Sequence, residues 1–262
     1  MPYLSGIFIY PIKSLDGVAV KKAHVLASGA LVGDREFAIV DSQGKFVHGK
    51  RTDAVHHLRS SFDLENRTVS LQQPGQSKIA TFSLEGDRTP LEHWLTNYFR
   101  FPVQVIQNTN QGFPDDTASP GPTLISIETL KEVTTWFPGI PLENLRQRLR
   151  TNLEIDGVEA FWEERLYSES SQCVPFQIGQ TQFLGINPCQ RCIVPSRDPQ
   201  TGHPFPNFQR IFVTKRQQTL PAWAEASRFN HFYRLAINTR RSDSDGQKIL
   251  HIGDQVDWGN SN

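Results

Sequence analysis

The sequence predicts a mainly β protein with some α, an α+β fold. Two observations carry this. The first hundred residues hold short runs of β-favouring residues, each closed by a turn signal, and helical spacing of apolar residues is confined to a few short segments. Several short strands separated by turns suit a barrel or a strongly bent sheet.

In chain order, residues 3–10 contain Ile7 and Ile9 and stop at Pro11. Residues 18–26 alternate in part, and residues 36–40 lead into the turn Asp41-Ser42-Gln43-Gly44. Val47, residues 58–64 and residues 69–71 continue the pattern around Glu65-Asn66-Arg67. Residues 90–99 predict a helix, with Thr89 as N-cap and Leu91, Trp94, Leu95 and Tyr98 on one face. The Gly- and Pro-rich residues 112–122, GFPDDTASPGP, form a loop, followed by a strand at 123–126. Ser126 caps a helix whose apolar face includes Leu130, Val133 and Trp136 or Phe137. A basic run, Arg146, Arg148 and Arg150, leads into a strand at 152–155. Residues 176–186 read as a hairpin around Gly179-Gln180, 189–206 as turns and 208–215 as a helix, with closing strands at 232–238 and 249–258. A domain boundary is expected near residue 105, dividing the chain into 1–105 and 106–262.

With 262 residues the chain can bury a sizeable core. Lys plus Arg and Asp plus Glu number 27 each, so formal net charge is zero; that argues against a dedicated nucleic-acid binder but leaves room for a local anion site. No run approaches the roughly 18 apolar residues of a membrane span. Residues 1–16 lack the basic start, apolar run and cleavage site of a leader. Three cysteines, an odd number, do not suggest a disulfide framework, and a reducing, cytoplasmic setting is expected.

Cys189-Gln190-Arg191-Cys192 is the sharpest local feature. A CxxC pair serves as half a zinc site, as a thiol redox pair, as a source of a soft-metal ligand, or merely packs. Zinc wants a second pair or two nearby histidines, yet Cys173 is isolated and His56-His57 lies far upstream. A thioredoxin-like pair should open a helix, and Ile193-Val194-Pro195 is a poor helix start. Arg191 adjoins Cys192, where a guanidinium favours a thiolate. Asp198-Pro199-Gln200-Thr201-Gly202 is then a strong turn signal. If Arg148-Leu149-Arg150-Thr151-Asn152 is extended, Arg148, Arg150 and Asn152 share one face, suited to an oxyanion or to a solvated basic edge. Lys13-Ser14 offers a cation and a hydroxyl after a strand, or an exposed turn. Gly33-Asp34-Arg35 has the same two readings, a candidate polar site or a surface pair worth little.

The segments YPIKSLDGV, VGDREFAIVD, PDDTASPGPT, RLRTN and NPCQRCIVPSRDPQTG occur in this order. Together they resemble the family of the molybdenum cofactor sulfurase carboxy-terminal (MOSC) domain preceded by its β-barrel partner, and within it the amidoxime-reducing components and their bacterial homologues. The resemblance covers roughly residues 3–258. It implies an N-terminal β-barrel-like domain packed on a MOSC β-barrel domain with flanking helices. It implies that Cys192 binds the metal of a molybdenum cofactor (Mo-molybdopterin), a soft ligand for a soft site. Lys13, Ser14 and Arg35 match positions at the pterin phosphate or its polar rim. Arg150 and Asn152 match further cofactor contacts, Arg148 is counted with them, and Arg191 lies beside the ligand. Thr117 and Ser119 are expected to line the same pocket. Asp116 is the carboxylate expected near the metal, with Asp115 the alternative alignment. Cys189 matches no essential family position and is expected to pack.

The function so implied is reduction of small N-hydroxylated compounds such as amidoximes, hydroxylamines or N-hydroxylated bases; the rival is a non-catalytic carrier of the cofactor or of sulfur. Three cysteines cannot supply a four-cysteine iron–sulfur cluster. Electrons are therefore expected from a separate ferredoxin, flavoprotein reductase or cytochrome-type protein.

Overall fold

The structure, a computed structural model, describes residues 1–170, 172–242 and 248–259. Strand β1 (Tyr3–Ile9) ends where Pro11 removes a ladder donor, and β2 (Val18–Val20) folds back on it with Ile7 opposite Val20. The expected strand at 18–26 is in fact two. After Lys21 the chain leaves β2 for β3 (Lys22–Val25), which belongs to another sheet. Strand β4 (Phe37–Asp41) is buried at every residue, and Asp41 closes the predicted turn by accepting from the amides of Gln43 and Lys45. Next come a short helix, α1 (Ala54–His57), then β5 (Arg59–Asp63), β6 (Thr68–Gln72), β7 (Ile79–Ser83), α2 (Thr89–Phe99) and β8 (Val103–Gln107). The reading of the sequence missed α1, β7 and β8. Residue 105 falls inside β8, which pairs with β4. Arg88, not Thr89, holds the N-cap position of α2, because the Asp87 carboxylate, a stronger acceptor, takes the Thr89 amide at 2.9 Å.

The second half begins with β9 (Leu124–Ser126) and α3 (Ile127–Thr135), which Ser126 caps by accepting from the Thr129 amide. Helix α4 (Leu142–Leu149) follows, then β10 (Leu153–Asp156), β11 (Val174–Ile178), β12 (Thr181–Gln190), α5 (Phe208–Gln218) and β13 (Arg234–Arg241). The expected strand at 249–258 divides at the turn around Gly253 into β14 (Lys248–His251) and β15 (Val256–Trp258). The basic run is helical rather than extended. Leu142, Leu145 and Leu149 recur at helical spacing after Pro141, and burying Leu145 and Leu149 decides the matter.

An eight-stranded sheet runs β15-β11-β12-β13-β9-β10-β1-β2, beside the pairs β14-β3 and β4-β8 and the meander β5-β6-β7. β1 and β2 thus extend a sheet otherwise built by the second half. One core, with Leu4, Ile7, Ile155, Phe183 and Ile237, joins both halves through that sheet. A second, including Phe37, Leu58, Leu91 and Val105, lies wholly within the first half. The third packs α3, α4 and α5 through Leu130, Leu145 and the stacked rings of Phe137 and Phe208, 4.2 Å apart. Among the described residues no helix is long and apolar enough to cross a membrane.

Candidate functional site

A cavity of about 960 Å³ opens where the two halves meet, and every site residue expected from the sequence lines it. Three are held in the left-handed region unusual for residues with a side chain: Ser14 (φ 76°), Arg35 (φ 49°) and Arg150 (φ 55°). Such conformations cost about 1–3 kcal/mol each and persist where surrounding contacts enforce them.

Arg35 is enforced from three directions. It donates to Asp34 Oδ2 at 2.5 Å, to Asn152 Oδ1 at 3.3 Å and to the Arg150 carbonyl at 3.2 Å. Asp34 in turn accepts from the Tyr10 amide. The expected surface pair is therefore largely buried, at 14% and 11% exposure, because both partners are tied to strand ends. Arg150 caps α4, and its guanidinium lies 4.2 Å over the Tyr10 ring, with Arg35 over the same ring at 5.1 Å. Gly17 makes room for this, since a Cβ there would stand 2.5 Å from the ring. Burial, with Arg35 close by, holds Arg150 below the ordinary guanidinium value, and its buried Nη2 has no hydrogen-bond partner.

Asn152 and Arg148 were expected to face an anion, but both side chains are already engaged. Asn152 Nδ2 donates to the Phe8 carbonyl and its Oδ1 accepts from Thr123 and Arg35, so it ties β1 to the start of β9. Arg148 donates to Asn144 Oδ1 at 2.6 Å and to the Pro195 carbonyl at 3.1 Å. It braces the turn beyond Cys192, a consequence of α4 being a helix. Lys13, half-buried and pushed down by desolvation, donates to the Phe113 carbonyl and pairs with Asp115 at 2.6 Å.

The two candidate carboxylates separate cleanly. Asp115 is 79% exposed beside Lys13, whereas Asp116 turns to β13, accepting from Asn238 Nδ2 at 3.3 Å and from the Ala118 amide at 3.0 Å. Thr117 is exposed, and Ser119 is buried with its Oγ unpartnered.

Cys192 is half-buried just past β12. Arg191 donates to the Leu149 carbonyl and keeps a buried, unpartnered Nε. Beyond Cys192, Asp198 Oδ1 accepts from the amides of Gln200 and Thr201, closing the predicted turn. This turn is anchored to the first half by the Arg197–Asp53 pair and by Arg59 donating to the Pro199 carbonyl at 3.1 Å. Cys189 lies on β12, 4% exposed, where burial pushes its thiol up to about 12. It donates to Asn238 Oδ1 at 2.8 Å. Tyr10 and Asn238 were missed at the sequence level. Tyr10 is buried just past β1 and Asn238 half-buried within β13, and nothing local marks either.

A MOSC N-terminal beta barrel domain matches residues 1–103 and a MOSC domain matches residues 123–257. The chain therefore belongs to the MOSC family. Among curated relatives, the molybdenum cofactor sulfurase of Bos taurus is 24% identical over 246 residues, covering 76% of this chain and 27% of that protein. The mitochondrial amidoxime reducing component 2 of Bos taurus is 26% identical, covering 76% of this chain and 67% of its own. The chain thus spans about a quarter of that sulfurase and two thirds of that reducing component. The solved YUAD protein from Bacillus subtilis aligns over 98% of this chain and 94% of its own at 14% identity, with a TM-score of 0.39.

Proposed function

We propose that this cavity binds a molybdenum cofactor with Cys192 as the metal's protein ligand, and that the chain reduces small N-hydroxylated compounds with electrons from a separate ferredoxin, flavoprotein reductase or cytochrome-type protein. One observation carries the reading: Cys192 shares the cavity with buried polar atoms that lack partners, Arg150 Nη2, Arg191 Nε and Ser119 Oγ. Orphaned buried donors cost about 1–3 kcal/mol each unless a ligand satisfies them. Two guanidiniums and a hydroxyl suit a phosphorylated, hydrogen-bonding group, so the residues fit the cofactor. Among the described residues no cluster of three or more His, Cys, Asp or Glu stands ready for a metal. A metal at Cys192 would draw its other ligands from the group that carries it.

The bound cofactor supplies the two-electron chemistry that removes oxygen from nitrogen. Arg150, Arg35 and Lys13 offset its phosphate charge. Arg148 and Asp198 brace the turn that holds Cys192, and Asp116 presents a carboxylate on the cavity wall to hold or pass a proton. In this reading the two domains divide just past β8, slightly beyond the boundary expected at residue 105, the first lending β1 and β2 to the sheet of the second. The setting proposed with it is reducing and cytoplasmic.

The test is elemental analysis for molybdenum, followed by turnover of an amidoxime with a reduced viologen dye. Stoichiometric metal with no turnover under any donor would favour a carrier, the reading to which likeness to the sulfurases points. A dithiol mechanism is disfavoured by Cys189, whose thiol stays protonated at neutral pH.

A further inference from the structure

We propose that Asn238 is a positioning residue that holds the Asp116 carboxylate on the cavity wall, and that the Cys189 thiol sets which way the Asn238 amide faces. The inference rests on the reading that Asp116 serves reactants bound beside Cys192.

Register brings the group together. In the β12–β13 ladder Asn187 stands opposite Asn238, and the ladder shifts between Pro188 and Gln190, around Cys189. The Cys189 sulfur lies 2.8 Å from Asn238 Oδ1. A buried, protonated thiol has one hydrogen to give, and an amide oxygen is its natural acceptor. With Oδ1 so engaged, Nδ2 points its two hydrogens at Asn187 Oδ1 (2.9 Å) and Asp116 Oδ2 (3.3 Å). The reversed amide would set its oxygen against both of those acceptors and its NH2 against the thiol. Asp116 Oδ1 meanwhile accepts from the Ala118 amide, so both carboxylate oxygens are fixed.

The loop that carries Asp116 is fastened by three successive residues of β13. Asn238 holds Asp116, the Thr239 carbonyl accepts from the Gly121 amide at 3.1 Å, and Arg240 donates to the Ala118 carbonyl at 2.5 Å. Gly121 is required there, since a Cβ would stand 2.5 Å from the Thr239 carbonyl oxygen. The loop backbone therefore stays in place when Asn238 is changed, and the carboxylate loses its Oδ2 donor while keeping the Ala118 amide on Oδ1. This gives Cys189 a use that neither metal ligation nor thiol redox chemistry describes.

The experiment compares Asn238→Leu, Cys189→Ala and Cys189→Ser with the wild type in the metal-loaded protein, reading molybdenum content, kcat and KM with a viologen donor, and the electron paramagnetic resonance spectrum of the partly reduced metal. Asn238→Leu is expected to keep its molybdenum and lose about tenfold or more in kcat with KM within about threefold, the pattern of a group acting after binding. Cys189→Ala should follow part of the way, and Cys189→Ser, which restores a donor, should recover both kcat and the wild-type spectrum. Unchanged kcat and spectrum in Asn238→Leu, or equal damage from Cys189→Ala and Cys189→Ser, would overturn the proposal. Wild-type protein that holds molybdenum without turnover sinks the functional reading instead, and the spectra alone then decide the positioning. If no molybdenum loads, crystal structures decide: an Asp116 side chain unmoved in Asn238→Leu overturns it.

Discussion

The Arg150 guanidinium lies 4.2 Å over the ring of Tyr10, whose own hydroxyl donates to the Thr151 carbonyl one residue further on. A single aromatic side chain at the end of β1 thus holds the C-terminal turn of α4, 140 residues away in sequence (150 − 10). Arg35 lies over the same ring. Cation–π contacts of this kind are worth roughly 0.5–2 kcal/mol, more when desolvated. Tyr10→Phe should keep the platform and retain most cofactor, whereas Tyr10→Leu should lose it about three- to thirtyfold more readily. Released pterin, measured by fluorescence after oxidation, is the readout; equal retention in both variants would remove Tyr10 from the site.

Arg150 itself is expected to matter through charge. Its Nη2 is buried without a partner, and an anion would supply one. Charge-assisted contacts are worth about 1.5–3 kcal/mol, so Arg150→Ala should weaken retention of the cofactor roughly tenfold or more. Arg148→Ala should act differently, lowering thermal stability because it unties α4 from the turn beyond Cys192. Pterin content unchanged in Arg150→Ala would refute the anion site.

Cys192→Ser should abolish activity, because an alkoxide-type ligand is harder and far less readily ionised than a thiolate. Molybdenum content and amidoxime turnover are measured together. A Cys192→Ser protein that still turned over would mean the metal is held elsewhere.

Electron supply follows from the sequence, which has no GxGxxG fingerprint and too few cysteines for a four-cysteine cluster. Metal-loaded protein should not reduce an N-hydroxylated substrate with a nicotinamide cofactor alone, but should with reduced viologen. Turnover with the nicotinamide alone would reveal a relay site in this chain.

A separate prediction concerns stability. Glu163 is fully buried, accepts from Thr129 Oγ1 at 3.0 Å and leaves Oε1 unpartnered. Burial, then the neighbouring Glu164 charge, pushes its carboxyl up to about 7 from 4.5. Glu164 itself pairs with the fully buried Arg216. Because the folded form holds the proton more tightly than the unfolded one, the associated stability is complete below about pH 4.5 and lost as pH rises towards 7. The full shift corresponds to about 3 kcal/mol. Glu163→Gln should therefore flatten the fall in Tm between pH 5 and 8 and melt higher than the wild type at pH 8. Parallel declines in the two proteins by calorimetry would show that Glu163 is not the group responsible.

The sequence by itself determined what depends on neighbours in the chain. Proline stops, the Asp198 turn, the Ser126 cap and the hairpin at Gly179-Gln180 are set by local backbone chemistry, and the structure shows each of them. The motif order likewise determined the family, since it is a property of the chain and not of its folding. Only the tertiary structure decided how the motif residues divide their work. Asn152 and Arg148 belong to the same short motif as Arg150, yet two of the three are tied internally and one is left with an unpartnered nitrogen, because α4 ends in a left-handed turn that swings Arg150 onto Tyr10. Asp115 and Asp116 are adjacent and chemically alike, and only the opposing positions of Lys13 and Asn238 tell them apart. Those partners lie about a hundred residues away along the chain in each direction, so no local pattern could have named them; their selection is made by strand register and burial.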